Sequence, residues 1–267
     1  MKKLSRLPLM AMALLLGACV VTERHNAAVE RTWPAAAVRE LRLEDANGSV
    51  SVSATTDSEV TLRAVVRAYG MAKQAGQEND GYFDTTLDGD GTLRIGARRR
   101  KVRVRFPFFS HTNVHIDYEI GVPRSMPLHL KMVNGKVTVR GIAGETEVVT
   151  VNGPIDVEAE GTSQVFAKTV NGRVRAVFLT NFSGASLKTV NGPVQAFLPT
   201  NASFTCSLSQ VNGDFEASSA FPLTIHSHPG SRRVSGEVNG GLHSLRITTV
   251  NGSVEVQQIR RAPAAAN

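Results

Sequence analysis

Three observations predict an all-β chain folded as a β-solenoid, with coils of roughly twenty residues and an Asn-Gly corner in each. The tripeptide Val-Asn-Gly recurs at Asn134, Asn152, Asn171, Asn191, Asn212, Asn239 and Asn251, with steps of 18, 19, 20, 21, 27 and 12 residues. After the Gly, apolar residues alternate, as in Val137/Val139, Ile155/Val157, Val174/Ala176, Val194/Ala196 and Val254/Val256. An earlier copy, Asn47-Gly48, is followed in the same way by Val50 and Val52. Alternation after a turn dipeptide marks a half-buried strand, and no segment of comparable length has helical spacing. Third, Pro154 and Pro193 come directly after the Gly in two copies. A two-residue hairpin needs an N–H at that place, and proline has none. Stacked coils need no such donor.

In a stack with turns about 4.8 Å apart, the repeated Asn falls at one corner of every coil. Its side-chain amide both donates and accepts, so aligned copies form a ladder. Gly beside it tolerates the positive φ of a sharp corner. Thr150, Thr169, Thr189 and Thr249 precede the Val, as expected of a strand leading into the corner. A ligand-facing row of Asn is the alternative reading. Recurrence at every coil favours the corner device, and the steps of 27 and 12 predict a loop and a partial coil.

At the start of the chain, Met1-Lys2-Lys3-Leu4-Ser5-Arg6 precedes an apolar run from Leu7 to Leu16. A basic head and a short apolar core make a secretory signal, here residues 1–18. It ends Leu16-Gly17-Ala18-Cys19, which resembles the lipobox of bacterial lipoproteins. The resemblance implies that Cys19 carries lipid, and Val20 after it implies outer-membrane placement. Residues 19–32 read as a lipid-anchored tether. Loss of Lys2, Lys3 and Arg6 lowers the formal net charge from +7 to +4, and nucleic acid is a poor partner for an exported chain. With Cys19 lipidated, Cys206 is alone, so no disulfide framework is expected. Cys206 reads as a packed, inert thiol, since no His lies near it in sequence.

Residues 33–130 form the N-terminal β region. Leu41/Leu43 and Val50/Val52 alternate, and Val60 to Val66 makes a stronger strand. Asp88-Gly89-Asp90-Gly91 lacks the oxygen series of a calcium loop and reads as a hairpin turn. The most distinctive stretch outside the repeats is Arg98-Arg99-Arg100-Lys101-Val102-Arg103-Val104-Arg105, followed by Phe106, Phe108 and Phe109. Lys101, Arg103 and Arg105 share one strand face. They suit phosphate-bearing lipid, lipopolysaccharide or an acidic cell-wall polymer. An edge strand protected by solvated charge is the competing account. Lys131, Lys168 and Lys188 add a column of positive charge that Val149 interrupts.

A strand ending in Val122-Pro123, then Leu128-His129-Leu130, then the Val-Asn-Gly units of residues 131–256, resembles the bacterial adhesin-like β-strand-repeat family of unknown function. The resemblance spans about Val38 to Val256. It implies export, membrane anchoring and a right-handed β-helix, and it supplies no catalytic residues. Residues 257–267 form a tail expected to fray.

Signs of chemistry are few. His111/His115 and His226/His228 lack the further ligands a metal site needs, so no metal is expected. Asp156, Glu158 and Glu160 share a strand face, but acidic residues do not recur in column, as a glycosidase groove would require. No phosphate loop, nucleophile elbow or dinucleotide fingerprint occurs, and no cofactor is expected. The sequence thus predicts a non-catalytic, lipid-anchored cell-envelope protein, an adhesin-like scaffold for a protein or an anionic envelope polymer. A carbohydrate-active enzyme on a β-helix scaffold and an envelope-stress signalling accessory are the alternatives.

Overall fold

A computed structural model of the chain describes residues 24–69, 83–97, 113–161, 163–228 and 231–259. Apart from one short 3-10 turn, Ala35–Ala37, the elements are strands. The N-terminal part holds β1 (Arg24–Pro34), β2 (Glu40–Asn47), β3 (Val50–Thr55), β4 (Glu59–Tyr69), β5 (Phe83–Leu87), β6 (Thr92–Ala97) and β7 (Asn113–Pro123). The repeats hold β8 (Leu128–Asn134), β9 (Val137–Ile142), β10 (Thr146–Val149), β11 (Ile155–Ala159), β12 (Val165–Lys168), β13 (Val174–Phe178), β14 (Ala185–Lys188) and β15 (Val194–Leu198). The last part holds β16 (Phe204–Asn212), β17 (Phe215–Ala217), β18 (Leu223–His228), β19 (Ser231–Val238), β20 (His243–Asn251) and β21 (Val254–Gln258).

They form two large mixed sheets. The first has the order β1-β4-β7-β3-β9-β11-β13-β15-β21-β17 and the second β18-β19-β16-β20-β14-β12-β10-β8-β2-β6-β5. Each repeat places one strand in the second sheet, turns at Asn-Gly, and places the next strand in the first. Equivalent strands of successive repeats pair in parallel and in register, Ile155 with Val137 and Val174, for example. The alternating apolar residues therefore all face the gap between the sheets. Leu128, Leu130, Val148, Leu187 and Ile247 of one sheet and Val137, Val139, Ile155, Val174 and Val194 of the other are fully buried. That shared column is the core.

The corner shows why the tripeptide repeats. Each Asn Nδ2 donates to the Oδ1 of its neighbour at 2.8–2.9 Å, in the spatial order Asn47, Asn134, Asn152, Asn171, Asn191, Asn251, Asn212. The Gly backbones approach so closely that a Cβ on Gly153 would lie far inside van der Waals contact of the Gly135 carbonyl. Inside the corner, the Thr169 hydroxyl donates to the Gly153 carbonyl at 3.1 Å and Thr189 to that of Gly172 at 3.0 Å. The buried Thr is thus more than a strand residue. At these two corners it satisfies a carbonyl that the tight turn takes out of the ladder, whereas the buried Thr150 hydroxyl makes no such bond. In the outermost repeat Gln210 takes this role, donating to the Gly252 carbonyl at 2.7 Å.

Several expectations are corrected. Residues 24–32 of the expected tether belong to β1, which pairs with β4 along its whole length. Its sequence is too polar to signal a strand, and burial comes from Val60, Leu62, Ala64 and Val66 on the partner. Asn239 lies outside the ladder. It ends an antiparallel strand, has φ 51°, and its Nδ2 donates to the Ala202 carbonyl at 2.8 Å. The expected partial coil is an insertion: β20 and β21 return to fill the place between β14/β15 and β16/β17. At the tail, Gln257 and Gln258 belong to β21, and the Ile259 N–H donates to Leu198. Asp88 to Gly91 closes the β5–β6 hairpin, as its composition suggests.

One buried polar pair joins β2 to β7. The Tyr118 hydroxyl donates to Asp45 Oδ2 at 2.6 Å, and Tyr118 is 1% exposed. Burial pushes the Asp45 carboxyl up, against the opposing pull of Tyr118 and the backbone N–H groups of Ala46 and Asn47. An acid raised in the folded state contributes stability below its unfolded pKa and loses it as pH rises through the folded value. Tyr118→Phe removes a donor to the ionised form. We expect it to cost about 2 kcal/mol at pH 7.5 and clearly less at pH 3.5, where Asp45 is neutral. Urea midpoints at the two pH values check this, and equal losses would contradict it.

Candidate anion-binding face

Of the residues singled out from sequence, Cys19 and the Arg98, Arg99, Arg100, Lys101, Arg103, Arg105 cluster lie outside the described residues. The corner asparagines are exposed and bonded to one another, apart from Asn239. Cys206 is buried beside Phe204 and Leu208, and burial pushes its thiol up to about 11. Among the described residues no group of three or more His, Cys, Asp or Glu is placed to hold a metal.

The outer faces of the two sheets differ in how their charges are spent. On the first sheet, Lys136 and Arg173 meet Asp156 at 3.1 and 2.8 Å. Although partial burial opposes it, these two bonds hold the Asp156 carboxyl below the usual range. Around it lies a shallow depression of about 310 Å³, lined by Thr138, Arg140, Glu158, Arg175 and Gln195 among others. Arg175 lies over the Phe197 ring at 5.0 Å. Positive and negative groups interleave here, and the face is close to balanced.

On the second sheet, the N-terminal half is also balanced. Arg42 meets Glu40 at 2.7 Å, Arg94 meets Asp88 at 2.6 Å, Lys131 meets Glu44 at 3.3 Å and His129 meets Glu147 at 2.9 Å. The C-terminal half is not. Register aligns Lys168, Lys188, Thr248, Ser209 and Arg233 in one row across β12, β14, β20, β16 and β19. The adjacent row is Phe166, Ser186, Arg246, Ser207 and Ser235. Lys168, Lys188, Arg246 and Arg233 have no carboxylate partner among the described residues, whereas Arg42, Arg94 and Lys131 of the other half each have one. The Lys188 ammonium lies over the Phe166 ring, 5.7 Å from its centroid, a contact that holds the group without neutralising its charge. At about 4.8 Å per strand, the face spans about 19 Å from β12 to β19. Four cations among serine and threonine hydroxyls offer a flat strip of donors to an anionic chain.

Lys168 and Lys188 were visible in the sequence as a column with Lys131 and a gap at Val149. The structure puts Val149 between Lys131 and Lys168, and neutralises Lys131 with Glu44. Arg246 and Arg233 were missed. Their strands join the column out of chain order, so spacing along the chain carries no signal of it.

No family model matches this chain, and no curated protein matches it. Solved structures do. One is a candidate cell adhesion protein from Clostridium sporogenes, at 10% identity over 88% of this chain and 100% of the other, with a TM-score of 0.39. A candidate adhesin from Bacteroides fragilis matches at 12% identity over 87% and 97%, with a TM-score of 0.31. A candidate lipid binding protein from Parabacteroides distasonis matches at 10% identity over 87% and 97%, with a TM-score of 0.30. Likeness of this degree carries no argument about activity or partner.

Proposed function

We propose that this chain is a non-catalytic, lipid-anchored protein of the cell envelope, held at the outer membrane through Cys19. Its stacked repeats make a right-handed β-solenoid, and the C-terminal half of the second sheet binds an anionic envelope polymer. The observation that carries the reading is the segregation of charge on that sheet. Arg42, Arg94 and Lys131 are paired in one half, while in the other, where Glu237 is exposed on β19, Lys168, Lys188, Arg246 and Arg233 have no carboxylate partner among the described residues. A solvated protective edge accounts for this less well, because β12, β14, β20 and β16 are interior strands of the sheet. A hydrolytic role on the first sheet is disfavoured by Asp156, which Lys136 and Arg173 keep ionised and so unsuited to donate a proton.

The binding reading is tested on immobilised polyphosphate and polygalacturonate. Lys168→Gln with Lys188→Gln is expected to weaken retention roughly thirtyfold at low salt, at about 1 kcal/mol per charge, and to flatten the salt dependence. Unchanged retention by the double variant would end the proposal. The anchor is tested separately: labelled palmitate should enter the wild type and not Cys19→Ala.

A further inference from the structure

We infer that the corner edge of the stack, with its ridge of exposed valines, is the side that lies on the lipid bilayer. The inference rests on the lipid anchor at Cys19 proposed above. It concerns a different surface from the cationic face.

Most large apolar residues of the described chain are buried. Those exposed by more than a third are Val133, Val151, Val190, Val211 and Val250, at 37 to 43%, together with Leu179 and Leu242. The five valines are the first residues of Val-Asn-Gly units, so the in-register stack sets them in one column. Val170 lies between Val151 and Val190, linked to both by backbone hydrogen bonds. The ridge covers six coils, about 24 Å at the strand spacing. The Asn ladder runs beside it, and its amides are already paired with one another. An apolar ridge bordered by neutral amides suits the boundary between headgroups and acyl chains better than open water.

The anchor emerges on the same edge. β3 leaves the Asn47-Gly48 corner, and β7 runs parallel to it, so β7 begins on the corner side. β4 is antiparallel to β7 and β1 to β4, which brings Arg24, Tyr69 and Asn113 together there. Gly48 packs against the Ile116 backbone, and Ile116 pairs with Val66. The tips of these three strands therefore run three residues past the corner, about 10 Å. From Cys19 to Arg24 there are five Cα steps, which span at most about 18 Å when fully extended. A lipid on Cys19 thus holds the corner edge near the bilayer. The valine ridge then supplies the second contact that a lipid chain needs for durable attachment. In this pose both sheets stand upright from the membrane. The cationic strip faces sideways and stays open to a polymer.

The test uses the acylated full chain on vesicles of phosphatidylethanolamine and phosphatidylglycerol that carry a lipid-bound quencher. Single fluorophores are placed at Val151→Cys and Val190→Cys on the ridge, at Thr180→Cys on the opposite edge, and at Ser186→Cys on the cationic face. Strong quenching at the two ridge sites and little at the others is expected. Quenching at Thr180 or Ser186 equal to that on the ridge would overturn the inference, as would no quenching at any site on protein that still sediments with vesicles. Failure of the wild type to sediment would instead remove the anchor, and the inference with it. Because the ridge is exposed, Val151→Ser, Val190→Ser and Val250→Ser combined should leave thermal unfolding nearly unchanged. They should speed transfer of the acylated protein between vesicles by at least about tenfold. An unaltered transfer rate would also overturn the inference.

Discussion

Gly153→Ala is expected to destabilise the protein by about 3 kcal/mol or more, enough to lower its urea midpoint sharply. Gly153 has φ 154°, and the added Cβ would run into the Gly135 carbonyl of the neighbouring repeat. The coil cannot move aside cheaply. The Gly153 N–H donates to Asn171 at 2.9 Å, the Gly135 N–H donates to Asn152 at 2.8 Å, and Thr169 holds the Gly153 carbonyl from within. Relief of the clash separates the Gly135 and Gly153 repeats, which weakens the bond to Asn152, and presses the Gly153 repeat against the one beyond it, where Asn171 and Thr169 already hold it. Gly240→Ala is the control. Its φ is 83°, but no atom lies within 4 Å of the added Cβ, so only the cost of left-handed backbone remains, about 1 kcal/mol. Equal losses in the two variants would show that corner conformation, and not the close approach of coils, makes Gly necessary.

Phe204→Ala should cost about 3–5 kcal/mol locally and uncouple the C-terminal end from the rest of the stack. Phe204 is fully buried at the start of β16. Its ring meets Phe182 edge-on at 5.7 Å and Phe221 at 5.3 Å, and Phe182 in turn meets Phe178 at 4.9 Å. The cluster joins residues from three segments that β16 alone would not hold. A stack in which each coil touches only its neighbours unfolds in parts when one contact is weakened. We expect a low-temperature transition confined to β16–β19, visible as early loss of amide protection there, with β8–β15 little changed. A single cooperative transition shifted as a whole would contradict this picture.

The repeat part of the fold was legible in the sequence because its information is local. A strand, a turn at Asn-Gly and another strand occupy consecutive residues, and Pro154 and Pro193 exclude the hairpin that those residues otherwise suggest. The ladder through Asn134, Asn152, Asn171 and Asn191 follows directly from equal steps. Polar β1 is different, since its strand character comes from the long edge of β4. So is Asn239, whose tripeptide is the same as the others but whose strand runs antiparallel to β16.

The candidate surfaces divide in the same way. Two lysines of the cationic face could be aligned from spacing alone, because β12 and β14 belong to successive repeats. Arg246 and Arg233 could not, because β20 inserts ahead of β16 and β19 folds back beside it. The exposed valine ridge was written in every repeat, but apolar residues near a turn do not reveal whether they point inward or out.

By itself, then, the sequence determined the strand-turn-strand unit, its stacking period and the residues of the corner, since each depends on neighbours within about twenty positions. Tertiary structure alone decided the order of the last coils, the pairing of Lys131 with Glu44, and the side of the stack on which the N-terminal strand emerges. Those outcomes depend on which sheet edge a returning strand meets, and no local pattern of residues encodes that choice.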